Sequence, residues 1–222
     1  MEVKKQKQYF NSKDLERRFI LSNEVEVRAF EEEGKRFLEG YASVFEKRSV
    51  LLLENNKIFQ EIIQRGAFDE ILLNENLDVK FLFNHDRSKM LARSSSGTLS
   101  LKADEVGLFF RAEIPMNVSY ANDVYELVLR GDLFQNSFAF SVIPNDVVWS
   151  KDADGTRLRT IKRVSGLYDV SVVIDAAYPD TSIAARSLKE IEENEVELEK
   201  EPIIYKSDSY KRKLEVLKLK LT

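Results

Sequence analysis

Ser137-Phe138-Ala139-Phe140-Ser141-Val142-Ile143-Pro144 alternates with a period of two, so that Ser137, Ala139, Ser141 and Ile143 share one face of an extended strand and Phe138, Phe140 and Val142 the other. Pro144 has no backbone N–H to offer a ladder and ends the strand. Tyr168-Asp169-Val170-Ser171-Val172-Val173 repeats the pattern, with Asp169, Ser171, Val173 and Asp175 on one face and Tyr168, Val170, Val172 and Ile174 on the other. Two strands of this kind, each apolar on one face and carrying small polar groups on the other, predict a sheet protein.

The same signal extends in both directions. Val25, Val27 and Ala29 alternate with charged residues, Glu31-Glu32-Glu33-Gly34 reads as a turn, and Phe37 to Phe45 resumes the extended pattern, which predicts a hairpin. Ile58 to Ile63 and Asp78 to Asn84 read as strands, and Phe68, Ile71 and Leu72 fall at helical spacing. Thr98 to Ala103 and Leu108 to Ile114 flank Asp104-Glu105-Val106-Gly107, where Gly107 is expected to supply a positive φ. Val124, Leu127 and Val128 mark a helix from Ser119 to Arg130, with Ser119 or Asn122 as its cap and Gly131 as its stop. Asp152-Ala153-Asp154-Gly155 turns a further hairpin between Val147–Lys151 and Arg157–Val164. The expectation is a mostly β (α+β) domain built mostly from neighbouring antiparallel strands, with a few helices. A closed or nearly closed barrel would hide its edges.

Composition narrows the function. A chain of 222 residues, 43% of them hydrophobic, fits one domain with appendages. Residues 1–22 are polar, lysine-rich and without a sustained period, and read as an N-terminal arm; 23–186 form the domain. Residues 187–222 are a charged tail, acidic from Glu190 to Glu201 and basic from Lys206 to Lys220. Within the tail, Leu188 to Glu199 reads as a charged helix that Pro202 ends, and Tyr210, Leu214, Leu217 and Leu221 are spaced for a partner-binding helix or, alternatively, a strand. No segment has the roughly 20 consecutive apolar residues of a membrane span, and no apolar signal follows Met1, so the expectation is a soluble cytosolic protein. The net charge of −4 argues against a mainly electrostatic nucleic-acid binder. Absence of cysteine removes disulfides, thiolate metal sites and a thiol nucleophile, and a single histidine leaves zinc without its usual ligands.

That single histidine, His85, stands where Phe81-Leu82-Phe83 gives way to Asn84-His85-Asp86, at the end of a strand. Any acid–base chemistry near neutral pH points to it first. Ser137 offers a hydroxyl and Asp169 a carboxylate, so the parts of a serine hydrolase can be nominated. Asp86 is a second orienting acid by proximity. Arg157, Arg159 and Arg163 could assist an oxyanion site, with backbone N–H groups as the default donors. Other roles stand beside these: a structural histidine, a strand serine, turn-capping by Asn84 and Asp86, or a two-carboxylate glycosidase site from Asp169 and Asp175.

Gly40-Tyr41-Ala42, Arg65-Gly66-Ala67-Phe68, Asn84-His85-Asp86, Gly107-Leu108, Gly131-Asp132-Leu133, Ser137-Phe138-Ala139-Phe140-Ser141, Tyr168 to Val173 and Ala177-Tyr178-Pro179-Asp180-Thr181-Ser182 occur in one order. The ordered set resembles the HK97-type phage prohead proteases, over about Gly40 to Arg186. The resemblance implies a serine endopeptidase with a herpesvirus-assemblin-like fold, a small antiparallel β-barrel surrounded by helices. It would act inside the procapsid, in the cytoplasm of the bacterial host, on the phage major capsid protein and its scaffold or delta segment. On that reading His85 matches the family histidine, Ser137 the nucleophile and Asp169 the third member, where relatives commonly carry glutamate. Assemblins use a second histidine, which this sequence lacks. No cofactor, nucleic acid or membrane is implied, and a homodimer is left open. Ala184-Ala185-Arg186-Ser187 could be a self-cleavage site or an ordinary linker, and the basic tail a docking element. A non-enzymatic capsid assembly or scaffolding protein with a protease-like fold is the alternative.

Overall fold

Strand alternation becomes three sheets in the computed structural model, which describes residues 15–19, 26–54 and 57–174. The strands are β1 (Glu16–Phe19), β2 (Arg28–Glu32), β3 (Lys35–Val44), β4 (Leu52–Glu54), β5 (Lys57–Ile63), β6 (Lys80–Phe83), β7 (Asp86–Arg93), β8 (Leu99–Ala103), β9 (Gly107–Ile114), β10 (Gln135–Ser141), β11 (Val147–Lys151), β12 (Arg157–Ile161) and β13 (Gly166–Val173). Two α-helices accompany them, α1 (Asp69–Leu72) and α2 (Ser119–Leu129). The sheet that carries the site runs β1-β10-β13-β6-β7; the others run β2-β3-β9-β8 and β11-β12-β5-β4.

The mostly β expectation holds, with strands that pair mostly antiparallel. Among the described residues no sheet closes into a barrel; each is open. Edges are managed by short or charged strands instead: β4 has three residues, and β11 is exposed over most of its length. The strands are also not all antiparallel, since β6 runs parallel to β13 and β5 parallel to β12. A period-two pattern marks a strand's faces and not its direction. The long stretch of chain between each parallel pair supplies the crossover that a hairpin cannot.

Aromatic residues fill the core. Phe138 stacks on Phe140 with centroids 4.8 Å apart and meets Phe68 edge-on at 6.0 Å, while Phe81 lies 5.0 Å from Phe110. All five rings are at most 1% exposed, so each contributes roughly 2–3 kcal/mol by burial. The residues sharing β10's other face are buried as well, which places Ser137 under cover.

Helix α2 buries Ala121, Val124, Tyr125 and Val128, the stripe its periodicity predicts. Its end follows the sequence reading: Gly131 takes φ +85°, its N–H bonds the Val128 carbonyl and the Asp132 N–H that of Leu127, a Schellman stop. Its start does not. Val118 occupies the cap with no side-chain hydrogen bond, and Asn122 instead donates to the Met116 carbonyl at 2.6 Å.

Gly107 also corrects the sequence reading. It is not among the glycines with positive φ; it begins β9 paired with Val44, just beyond the bulge in β3 between Tyr41 and Ser43. A Cβ there would lie 1.8 Å from the Ser43 carbonyl oxygen. The glycine is required by close backbone approach rather than by a turn. Gly107→Ala should therefore lower the urea midpoint, by about 2 kcal/mol or more in stability; an unchanged midpoint would show that β3 yields without strain.

Residues 1–14, 20–25, 55–56 and 175–222 lie outside the described residues. The sequence readings of the charged tail, its helices, the Ala184–Ser187 linker, Asp175, and most of the arm fall there. One piece of the arm is described: Glu16–Phe19 pairs antiparallel with β10, as a strand that the lysine-rich segment gave no period to predict.

Candidate active site

The turn that carries His85 is two residues long. Asn84 and His85 connect β6 to β7 with φ of +53° and +56°, the type I′ pattern that matches hairpin twist. Asparagine tolerates this region; an imidazole-bearing residue pays about 1–2 kcal/mol for it. Neighbouring bonds hold the turn. The Asn84 N–H bonds the Val172 carbonyl at 2.9 Å, and the Ile174 N–H donates to Asn84 Oδ1 at 2.9 Å, so the turn is tied to the end of β13. Asp86 does not face the imidazole: its Oδ1 accepts from the Ser88 N–H at 2.8 Å and the Ser88 hydroxyl at 2.7 Å.

At the other end of this hairpin, Asp78 accepts from Arg93 Nε at 2.7 Å and Nη2 at 2.5 Å, and from Lys80 Nζ at 3.0 Å. Lys80 and Arg93 are themselves cross-strand partners, so the carboxylate clamps the open end. These bonds, Arg93 first, hold the Asp78 carboxyl well below the usual carboxylate range.

Antiparallel register sets Ser137 directly opposite Ser171, and Ala139 opposite Asp169. Ser137, Ser171 and Asp169 therefore share one face of two adjacent strands. The imidazole lies across that face. His85 Nδ1 is 2.6 Å from Asp169 Oδ1, and Nε2 is 2.8 Å from Ser137 Oγ. Ser171 Oγ donates to Asp169 Oδ1 at 2.9 Å and sits 3.1 Å from Nδ1. The carboxylate can only accept, so in the neutral ring Nδ1 carries the proton and Nε2 is left as an acceptor facing the hydroxyl. Water has little access, with the His85 and Asp169 side chains 9% and 10% exposed.

The three residues nominated from sequence are thus brought together, in the order hydroxyl, imidazole, carboxylate. Ser171 was overlooked as part of the group, although its place two residues after Asp169 on the same strand face was the available signal. A second contact had no sequence signal: Ser137 Oγ is also 2.8 Å from the Arg18 carbonyl oxygen. One hydroxyl hydrogen faces two acceptors.

Two of the three arginines nominated for an oxyanion site, Arg159 and Arg163, are engaged with carboxylates. Arg159 bonds Glu61 at 2.8 Å and Glu16 at 2.7 Å, and Arg163 bonds Asp146 at 3.0 Å and Glu70 at 2.6 Å. Glu61 is 3% exposed; burial pushes its carboxyl upward, opposed by the Arg18 and Arg159 guanidiniums. No helix among the described residues is long and apolar enough to cross a membrane.

A mostly β framework presents a buried serine, imidazole and carboxylate in hydrogen-bonded succession, the set of groups that a serine hydrolase requires. Residues 23–195 match the caudovirus prohead serine protease family, and the chain belongs to that family. It is 30% identical over 164 residues to the prohead protease of Enterobacteria phage HK97, which covers 73% of this chain; the chain spans 65% of that relative's length. Among solved structures, the bacteriophage T4 capsid assembly protease is similar with a TM-score of 0.42 at 10% identity, over 73% of this chain and 98% of that one.

The Asp78 clamp gives a test with a defined sign. Its folded-state affinity for protons is depressed, so its contribution is complete above the unfolded carboxyl value of about 3.9 and is lost progressively as pH falls from there through the lower folded-state value. Asp78→Asn should cost about 1 kcal/mol at neutral pH, allowing for solvent screening of the half-exposed Arg93. The difference from wild type in urea titrations should begin to shrink once pH drops below about 4 and keep shrinking toward the depressed folded-state value; a pH-independent difference would show that the charge is not what stabilises the hairpin.

Proposed function

We propose that this chain is a serine endopeptidase that trims the scaffold or delta segment of a phage major capsid protein during prohead maturation, inside the procapsid in the host cytoplasm. Ser137 is the nucleophile, His85 the general base and acid, and Asp169 the group that orients the imidazole. The observation that carries this reading is the imidazole spanning 2.8 Å to the hydroxyl on one side and 2.6 Å to the carboxylate on the other. Family membership supports it. The same reading takes the three sheets as related to the assemblin arrangement, residues 23–186 as the protease domain, and 187–222 as a charged tail.

The chemistry follows from the proton positions. As Ser137 Oγ bonds to a peptide carbonyl carbon, its proton passes to His85 Nε2 and the carbonyl electrons move onto oxygen. Collapse of that intermediate breaks the C–N bond, and His85 delivers the proton to the leaving amine. Water then repeats the sequence on the acyl-serine. Asp169 keeps Nδ1 protonated throughout and stabilises the imidazolium; it does not itself take the proton. The aspartate is one methylene shorter than the glutamate common among relatives. Ser171 compensates by donating to the same carboxylate oxygen and fixing its rotamer.

Co-expression with the cognate capsid protein tests the assignment, by mass spectrometry of the capsid subunit. Ser137→Ala and His85→Ala should each leave it untrimmed; trimming at the wild-type rate by both would leave only a scaffolding role. In a quantitative assay Asp169→Asn should lower kcat by roughly 10³–10⁴-fold, because it favours the wrong tautomer. Ser171→Ala should cost only about fivefold, the worth of one hydrogen bond. A loss for Ser171→Ala as large as that for Asp169→Asn would mean that the serine belongs to the proton relay.

A further inference from the structure

Among the described residues, the strand that carries Ser137 would be a sheet edge without β1, its neighbour on the side away from β13. An open edge accepts an extended peptide, main-chain bonds giving affinity and alternate side chains giving specificity. Strand β1 occupies this edge in the manner of such a peptide. Its four residues pair antiparallel with β10, Glu16 with Phe140, Arg17 with Ala139, Arg18 with Phe138 and the next residue with Ser137. The carbonyl that meets Ser137 Oγ, at 2.8 Å, is that of Arg18.

Side chains add a second, independent observation. With a period of two, Glu16 and Arg18 share a face while Arg17 points away and is exposed. The Arg18 guanidinium forks onto Glu61, Nε to Oε1 at 2.8 Å and Nη2 to Oε2 at 3.1 Å. Glu16 is held by Arg159 at 2.7 Å and by Arg18 at 2.7 Å. Arg159 and Glu61 also bond each other at 2.8 Å, so the domain's own half of the site is a buried ion pair, each partner of which also holds a side chain of β1. Beside the Arg18 side chain is a cavity of about 100 Å³ lined by Ser43, Glu61 and Phe138 among others, and the Ser43 hydroxyl has no hydrogen-bond partner. Arg18 therefore does not fill the space open to it.

We propose that β1 holds the place of the substrate strand: the enzyme takes its substrate as an extended strand on the β10 edge, with an arginine just before the scissile bond seated on Glu61 and an acidic residue two positions earlier seated on Arg159. This rests on Ser137 being the nucleophile. Glu61 and Arg159 are then specificity-determining residues, and β1 is an internal competitor. While bound it draws the Ser137 hydrogen toward the Arg18 carbonyl and away from His85. A tethered strand competes at an effective concentration on the order of millimolar, so a free peptide at lower concentration meets a mostly occupied edge.

The test uses the full chain, internally quenched peptides containing Glu-x-Arg, Glu-x-Leu or Ala-x-Arg, and a fluorophosphonate that labels activated serines. Wild type should cut Glu-x-Arg after the arginine with kcat/KM at least tenfold above the other two peptides. Arg18→Ala should raise both kcat/KM for Glu-x-Arg and the labelling rate of Ser137 by roughly tenfold, by loosening the internal strand. Glu61→Gln should erase the arginine preference while Ser137 is still labelled. If Glu61→Gln does not fold, the Arg18→Ala labelling rate and the wild-type peptide series decide alone. Equal cleavage of the three peptides, or Arg18→Ala labelling at or below the wild-type rate, overturns the proposal. If Ser137 is labelled and the capsid protein is trimmed through it while the arginine makes no difference, this inference alone fails. If Ser137 is never labelled and nothing is trimmed, the assignment of the nucleophile fails with it.

Discussion

The chain has one imidazole, that of His85, and the fold holds the ring between Asp169 and Ser137. The pose depends on the hydrogen bond of 2.6 Å between His85 Nδ1 and Asp169. That bond fixes the tautomer, and the tautomer decides whether Nε2 can accept the Ser137 proton. Holding it requires a histidine in a left-handed turn, a conformation that costs energy locally. The cost is offset by neighbours: parallel pairing of β6 with β13, the two Asn84 bonds to the end of β13, and the Asp78 clamp at the hairpin's far end.

The opposite face of β10 has a different logic. There Phe138 and Phe140 anchor the aromatic core, and the Arg18 guanidinium lies 5.7 Å from the Phe140 ring while its fork meets Glu61. Four charges, Glu16, Arg18, Glu61 and Arg159, neutralise one another in a place where a lone charge would be costly. Two of them belong to β1 and two to the domain. The strand that carries Ser137 is thus bordered by an ion-pair arrangement that a second strand of the right sequence could reproduce, and register links the Ser137 hydroxyl on one face to these charges on the other.

Much of this was legible in the sequence because period-two alternation is a strong signal. The strands around Ser137 and Asp169 showed which residues share a face, and one histidine left no choice of base. What alternation does not encode is strand direction and neighbour. Nothing in Asp78 to Asn84 indicates parallel pairing with a strand some 90 residues later, yet that pairing delivers His85 to Asp169. The turn was obscured because Asn-His lacks the glycine that advertises a type I′ hairpin. Gly107 read as a turn residue because a glycine required by backbone contact looks the same in sequence as one required by φ. Strand β1 is too short to show a period, and Glu61 has no meaning until the sheet β11-β12-β5-β4 sets it beside Arg159.

The central claim is that the His85–Asp169 pair makes the Ser137 hydroxyl a nucleophile. The most direct measurement is the rate of fluorophosphonate labelling, with the adduct located by peptide mass spectrometry, in wild type and His85→Ala. The account predicts a single adduct on Ser137 and a rate at least about 10³-fold lower without the imidazole. Labelling that is absent from Ser137, or equally fast in His85→Ala, would contradict it.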